Sequence, residues 1–311
     1  MKAVQINKYG GNEVIEINNN APVPKITPGF VLVEVYAAGV NPSDWKIRQG
    51  LFHQWRPLTF PATLGGDFSG VVKEVGAGVT SFKIGDEVYG RALDFDGSSG
   101  SFAEMVLVDA KLIALKPEAL SHMEAAALPL VGVSAYQALI DHINLRSGEK
   151  ILIHGGAGGI GGLAVQIAKD LGAYVIATSG SGDLNYVRSL GADQVIDYKT
   201  QDFTKLVNDV DAVFDTVGGE ALTKSFSVVK KGGIIVSMVH PDVEPPADYH
   251  LRIIPQQTEV TGERLDKLTN LVDEAGVKVT IDKTFFLDEA AAALDYLKHG
   301  HHRGKVVLKV R

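Results

Sequence analysis

Residues 150–179, KILIHGGAGGIGGLAVQIAKDLGAYVIATS, decide the fold. An apolar run of buried-strand length, Ile151 to Ile153, leads into a glycine cluster. Apolar residues then recur at helical spacing (Leu163, Val165, Ile167, Ala168, Leu171), and a second apolar run, Val175 to Ala177, follows. The pattern predicts strand, tight turn, helix and strand. Gly156, Gly158 and Gly161 stand at the G-x-G-x-x-G positions, in the strand-to-helix setting that a dinucleotide fingerprint requires. Gly156 allows the sharp turn, Gly158 lets the backbone approach a pyrophosphate, and Gly161 lets the helix pack closely on the strand. With Ala157, Gly159 and Ile160 they form a loop whose N–H groups would meet phosphates at the positive end of a helix. A glycine-rich turn without a ligand is the plainer alternative.

Downstream, strands alternate with helices. ILIHG, YVIATS, QVIDY, DAVFDTVG and GGIIVSMV read as strands, with helices after Gly158 and over 183–190, 203–207 and 222–229. Such alternation predicts a parallel, doubly wound sheet with helices on both faces. Ligands bind at the carboxyl ends of such strands, which singles out Thr178 and Ser179 after the second. By the same rule Thr216, Val217 and Gly218 follow the fourth, and Ser237, Met238 and Val239 the fifth. After a proline-bearing loop over 240–250 come a strand-like HLRIIPQ, a helix over 264–275, the strand VTIDKTFFL, a helix over 288–299 and a last strand, KVVLKV.

Upstream, residues 1–109 are short strands punctuated by glycine and proline, and alternation in VLVEVY and VVKEV predicts half-exposed antiparallel pairing in a partly open barrel. Asp67 and Gly70 read as turn residues. Between 119 and 143 the spacing is helical, with Pro129 and Gly132 breaking it in two. A chain of 311 residues favours two domains, and 45% apolar with 22% charged residues marks an ordinary globular protein. The formal charge of −7, spread along the chain, excludes a basic face for nucleic acid. No apolar leader or membrane-length run is present, so a soluble, cytoplasmic protein is expected. The absence of cysteine excludes disulfides, thiolate zinc sites and thiol nucleophiles.

The segments AAGVNPSDWKIRQG, LGGDFSGVVKEVG with GDEVYG, AAALPLVGVSAYQAL, HGGAGGIGG, SLGADQVIDY and HHRGKVVLKV, in this order, resemble the zinc-independent quinone oxidoreductase branch of the medium-chain dehydrogenase/reductase superfamily. The resemblance implies an α/β protein. A GroES-like β-rich catalytic domain over 1–120 and 270–311 would enclose a doubly wound Rossmann NAD(P)-binding domain over 121–269, with the active site in the cleft. It also implies NADPH-dependent reduction of quinones or α,β-unsaturated carbonyl compounds and a homodimer, in keeping with the strand-like HLRIIPQQT, whose place after the sheet's last ordinary strand would let it pair with its copy. Zinc-dependent cousins carry Gly-His-Glu where this chain has Gly66, Asp67 and Phe68, and a cysteine near the position of Asn41. No metal is therefore expected. The tyrosine followed four residues later by lysine, which short-chain dehydrogenases need, is also missing. A non-catalytic structural or RNA-binding protein on the same scaffold is the alternative function.

By this resemblance Asn41 is the candidate catalytic group, a hydrogen-bond donor to a substrate carbonyl, or else a turn residue before Pro42. Asp44 and Arg48 would pair to hold its loop. Trp45 and Phe52, near His53 and Trp55, would sandwich a flat substrate or pack in the core. Lys46 and Phe52 stand where many relatives have tyrosines, which leaves the proton donor unassigned. Val133 and Ser134 would approach the nicotinamide, and Arg303 and Lys305 in the R-G-K segment would reach the pyrophosphate or form a solvated tail. Thr178, Ser179 and Gly180 put no carboxylate at the end of the second Rossmann strand, which favours NADP(H), and Tyr198 matches a 2′-phosphate contact. The lysine some relatives place after that strand is not evident in GSGDLNY. His154 reads as a packed strand-end residue and His299, His301 and His302 as an unaimed cluster. The loops over 93–100 and 241–249 would shape the pocket.

Overall fold

The computed structural model describes residues 1–92, 99–239 and 244–311; residues 93–98 and 240–243, part of the two pocket loops expected above, lie outside the described residues. The chain forms two compact units, Met1–Leu130 with Val260–Glu274 and Val279–Arg311, and Val131–Glu259 with Ala275–Lys278.

The first unit opens with β1 (Ala3–Ile6), β2 (Ile15–Asn18), β3 (Phe30–Val40), α1 (Pro42–Arg48), β4 (Ala62–Thr63), β5 (Asp67–Val75), β6 (Glu87–Arg91), β7 (Met105–Asp109), β8 (Ile113–Leu115) and α2 (His122–Ala126). From α3 (Pro129–Tyr136) the chain continues through β9 (Lys150–Ile153), α4 (Gly159–Asp170), β10 (Tyr174–Ser179), α5 (Leu184–Ser189), β11 (Gln194–Asp197), β12 (Val210–Asp215), α6 (Gly219–Ser225), β13 (Val229–Ser237) and β14 (Arg252–Pro255). It returns to the first unit with α7 (Gly262–Asp273), β15 (Ile281–Phe286), α8 (Ala290–His299) and β16 (Lys305–Lys309).

The second unit carries one six-stranded sheet in the order β11-β10-β9-β12-β13-β14, every pair parallel. The order runs outward in both directions from β9, so the switch point lies between β9 and β12, as in a doubly wound nucleotide-binding sheet. Leu152, Ile176, Val213 and Ile235 from four adjacent strands pack with Phe203, Leu222 and Phe226. Each such side chain contributes roughly 1.5–3 kcal/mol when fully buried. The expected helix over 203–207 is a single 3-10 turn, Phe203–Lys205, begun by an Asp202 carboxylate that accepts from Thr204 N–H. The helix expected over 222–229 starts and stops earlier, because Val229 is claimed by β13.

The first unit holds a three-stranded sheet, β2-β1-β4, and a larger one, β15-β16-β3-β5-β6-β8, in which β7 also pairs with β3. The strand β3 is buried almost throughout, where alternation predicted one wet face, since β5, β7 and β16 all pair along it. Gly70 is in mid-strand β5, not in a turn: a Cβ there would lie 2.0 Å from the Glu34 carbonyl oxygen of β3. Asp67, the other expected turn residue, begins the same strand.

The expected boundaries at 120 and 270 shift because residues 121–130 and 260–269 pack with the first unit. Ala126 and Ala127 join Ala37 and Val307 in one cluster, and the Tyr89 hydroxyl donates to the Leu265 carbonyl at 2.7 Å. Ser121 and Glu124 form a capping box at the start of α2. Pro129 then opens α3 and Gly132 lies inside it, so only the proline divides the helical stretch. The helix runs on as π-helical turns over Gln137–Ile143 and stops at Asn144, whose φ is +56°.

Candidate functional site

Two polar centres emerge, one in each unit. In the second, the chain leaves β9 through Gly155, whose φ of +75° suits only glycine. A Cβ on Gly161 would lie 2.1 Å from the Gly155 carbonyl oxygen, which holds α4 hard against the turn. A Cβ on Gly158 would meet only that same oxygen, at 3.4 Å, so its outer side is open. Gly158 is also the N-cap of α4 and supplies no side-chain cap to its first turn. This backbone cradle fits the pyrophosphate of a dinucleotide.

Buried side chains brace the cradle from behind. The Ser225 hydroxyl donates to the Ala221 carbonyl at 2.7 Å, so it accepts from His154 Nε2–H at 2.8 Å. Burial pushes His154 down to about 4, leaving it neutral at pH 7, and Nδ1 accepts from the Thr178 hydroxyl at 3.0 Å. The Thr178 oxygen in turn accepts from Gly155 N–H, and the Thr178 carbonyl from Gly156 N–H. Thr178, expected at the cofactor, thus acts from inside the protein. Ser237 does likewise: fully buried, it donates to Asp215 and accepts from Val239 N–H. The Asp215 carboxylate also takes the N–H groups of Val217 and Gly218, which fixes the turn after β12.

Three of the expected strand-end residues face solvent: Tyr198, Val217 and Val239 are 59%, 58% and 41% exposed. Ser179 is buried, Met238 half-buried, and Gly218 has φ +80° with Val239 directly against it. Ser134 is buried with its hydroxyl 2.8 Å from that of Thr258. A cation unseen in the sequence reading is Lys199. Parallel pairing of Ser179 with Asp197 brings the end of β11 beside Gly180, where a Cβ would lie 3.6 Å from Tyr198 Oη and 3.7 Å from Lys199 Cε. Its signal was adjacency to Tyr198.

The centre of the first unit is a buried charge network. The Asp67 carboxylate, with no exposed surface, accepts from Arg91 at 2.6 Å, from Asn41 Nδ2 at 2.9 Å and from Leu130 N–H at 3.0 Å. The Lys305 ammonium donates to Asn41 Oδ1 at 2.6 Å and to the Val40 carbonyl at 2.5 Å. Burial pulls Lys305 down to about 8 and pushes Asp44 up to about 7, against the attraction of neighbouring charges. One Asp44 oxygen accepts from Asn41 N–H at 2.7 Å, and the other has no partner among the described residues.

Several expectations change here. Asn41 is fully buried with both ends of its amide engaged, so it is not a free donor facing a substrate carbonyl. Lys305 has carbonyl partners in this network, not an exposed position reaching for phosphate, whereas Arg303 is exposed. Asp44 does not pair with Arg48, whose guanidinium bonds the Asn12 side chain and the Gly10 carbonyl. Trp45 packs on the apolar core with the Lys298 ammonium 5.0 Å from its ring centre, while Phe52 is half-buried. Arg91 gave no sequence signal, because only the β5–β6 register sets it opposite Asp67. The donor set does not fit a zinc ion. An open zinc site needs three N, O or S ligands, yet Asp67 is already bonded to a guanidinium, and among the described residues no three His, Cys, Asp or Glu side chains could hold a metal.

Two family models match the chain: an alcohol dehydrogenase GroES-like domain over residues 27–118 and a zinc-binding dehydrogenase over 190–308. A 2-methylene-furan-3-one reductase from Solanum lycopersicum is 42% identical over 99% of this chain and 79% of its own. The chain belongs to the quinone oxidoreductase branch of the medium-chain dehydrogenase/reductase superfamily. An NADPH-dependent alkenal/one oxidoreductase from Arabidopsis thaliana, chloroplastic, is 38% identical over 99% of this chain and 79% of its own. The solved quinone oxidoreductase from Coxiella burnetii superposes with a TM-score of 0.88 at 36% identity, covering 100% of this chain and 99% of that one.

The raised Asp44 has a measurable consequence. Folding favours its protonated form, so stability falls as pH rises from the ordinary carboxylate range to about 7. Asp44→Asn keeps an acceptor for Asn41 N–H and removes the charge that Asp67, Arg91 and Lys305 surround. Chemical denaturation at several pH values should show a shallower slope in that window and a gain on the order of 2 kcal/mol at pH 8. An unchanged slope contradicts the assignment.

Proposed function

We propose that the protein is an NADPH-dependent reductase of α,β-unsaturated carbonyl compounds and quinones that works without a metal. The observation that carries the reading is the end of β10, where Ser179, Gly180 and Ser181 replace the carboxylate of an NAD-preferring site and Tyr198 and Lys199 stand beside Gly180. A 2′-phosphate needs space and a cation, which Gly180 and Lys199 offer; the Asp197 carboxylate at the same strand end is taken up by the Ser181 hydroxyl at 2.6 Å and by Lys199 N–H. The printed names of the tomato and Arabidopsis relatives support both the cofactor and the substrate class. They also weigh against the non-catalytic alternative.

Bound NADPH supplies a hydride to an electron-poor carbon. The chain's part is to hold the pyrophosphate on the Gly155–Gly161 cradle and the 2′-phosphate at Tyr198 and Lys199. Val217 and Val239 give the other half of the cofactor an apolar surface at the ends of β12 and β13. Arg91, Asn41 and the Leu130 N–H take up the Asp67 carboxylate, so that it is not offered as an open metal ligand.

The cofactor assignment is tested by following NADPH absorbance with cyclohexenone or a simple quinone. Lys199→Ala should lower kcat/KM for NADPH by about 5- to 10-fold, the scale of one partly exposed charge-assisted contact, and leave that for NADH unchanged. Equal losses with both cofactors would assign Lys199 a structural role.

We also infer a homodimer. The outer edge of β14 has no neighbouring strand among the described residues, and Ile253 and Ile254 are only half-buried. Pairing with a second copy would continue the sheet and cover that edge. Light scattering at micromolar concentration should return twice the chain mass; a monomer mass contradicts it.

A further inference from the structure

Just beyond β14, Gln256 is a buried amide with one end unused. Its main-chain N–H donates to the Ser237 carbonyl at 2.7 Å, carrying the β13–β14 ladder one residue past the strands. Its Nε2 donates to the Ser134 carbonyl at 3.0 Å. A carbonyl can only accept, so the amide orientation is fixed and the opposite end must be Oε1. That oxygen is buried and has no hydrogen-bond partner among the described residues, though the residue is only 7% exposed. Leaving such an acceptor unmade costs roughly 1–3 kcal/mol, and groups of this kind in an otherwise satisfied region point to a missing donor.

The sheet order says which donor. With the pyrophosphate at the switch point between β9 and β12, the half-cofactor bearing the 2′-phosphate lies toward β10 and β11, where Tyr198 and Lys199 stand. The other half must therefore extend over the ends of β12, β13 and β14. From the switch point to β14 is two and a half strand spacings, about 12 Å at roughly 4.8 Å each, which is the scale of a nicotinamide riboside. Along that path lie the exposed Val217 and Val239, and at its far end the buried Gln256.

We propose that Gln256 Oε1 is the acceptor for the carboxamide N–H of the nicotinamide, so that this side-chain amide reads the 3-substituent of the ring. The proposal rests on the dinucleotide reading given above and adds a residue and a selectivity to it. Ser134 serves by clamping Nε2, and its own place is held by the contact of its hydroxyl with Thr258. An amide pinned in this way offers its oxygen at a fixed angle. It prefers a ring substituent that carries an N–H over one that carries only a carbonyl.

The test uses calorimetric dissociation constants on the native full chain and on Gln256→Met, which is similar in size and lacks the amide. Three ligands separate the possibilities: NADP+, its acetylpyridine analogue, which keeps the carbonyl and loses the N–H, and 2′-phospho-ADP-ribose, which has no nicotinamide. The native protein should bind NADP+ about 10-fold more tightly than the analogue, the scale of one buried hydrogen bond. Gln256→Met should bind the two alike, with its affinity for 2′-phospho-ADP-ribose unchanged. Equal native affinity for NADP+ and the analogue overturns the proposal, as does a variant that keeps the native discrimination. If Gln256→Met does not fold, the native comparison decides alone. Failure of the native protein to bind 2′-phospho-ADP-ribose or NADP+ at all would overturn the cofactor reading itself, which separates the two failures.

Discussion

A carboxylate with no exposed surface, Asp67, sets the terms for the first unit. Burying it unpaired would cost several kcal/mol, so it requires donors with little freedom of arrangement. It takes Arg91 from the neighbouring strand β6, the Asn41 amide from the mouth of α1 and the Leu130 N–H from the first turn of α3. Asn41 then passes the demand on to Lys305, which also takes the Val40 carbonyl at the end of β3. Segments from residue 40 to residue 305 meet at this point. Removing one member would strand the others in a dry interior, which makes the network indivisible in energetic terms.

The second unit follows the same rule, with one buried carboxylate, Asp215, among neutral groups. His154, Thr178, Ser225, Asp215 and Ser237 are all buried, and their hydrogen bonds hold the turns after β9 and β12 from within. At the outer side of these turns lie main chain, glycine and the exposed Tyr198, Val217 and Val239. A dinucleotide site needs fixed N–H groups more than reactive side chains, because the cofactor carries the chemistry. The braces supply that fixity. In this chain a backbone cradle braced from behind in the second unit accompanies a buried network of carboxylates and cations in the first.

Much of this was legible in the sequence. The alternation after residue 150 and the glycine spacing foretold the parallel sheet and the cradle, since both depend on local pattern. Individual roles were harder to read, because they depend on pairing between distant strands. Asp67 looked like a turn residue until β6 brought Arg91 opposite it. Thr178 and Ser237 sit at the strand ends where ligands bind, yet their side chains point back into the protein. Lys199 and Gln256 carry no motif at all. Strand register gives Lys199 its place, and an amide with one committed end gives Gln256 its significance. For Asn41 and Trp45, where sequence left a substrate contact and a structural role both open, the burial of Asn41 and the packing of Trp45 on the core add the structural contacts.

The protein's own cations meet the first unit's acidic centre, Arg91 by direct pairing with Asp67 and Lys305 through Asn41, which leaves Asp67 no open position for zinc. Elemental mass spectrometry of the purified protein, taken with NADPH-driven enone turnover on the same sample before and after exhaustive chelation, addresses it directly. Far less than one zinc ion per chain and full turnover after chelation are expected. Stoichiometric zinc whose removal abolishes turnover would contradict this assignment.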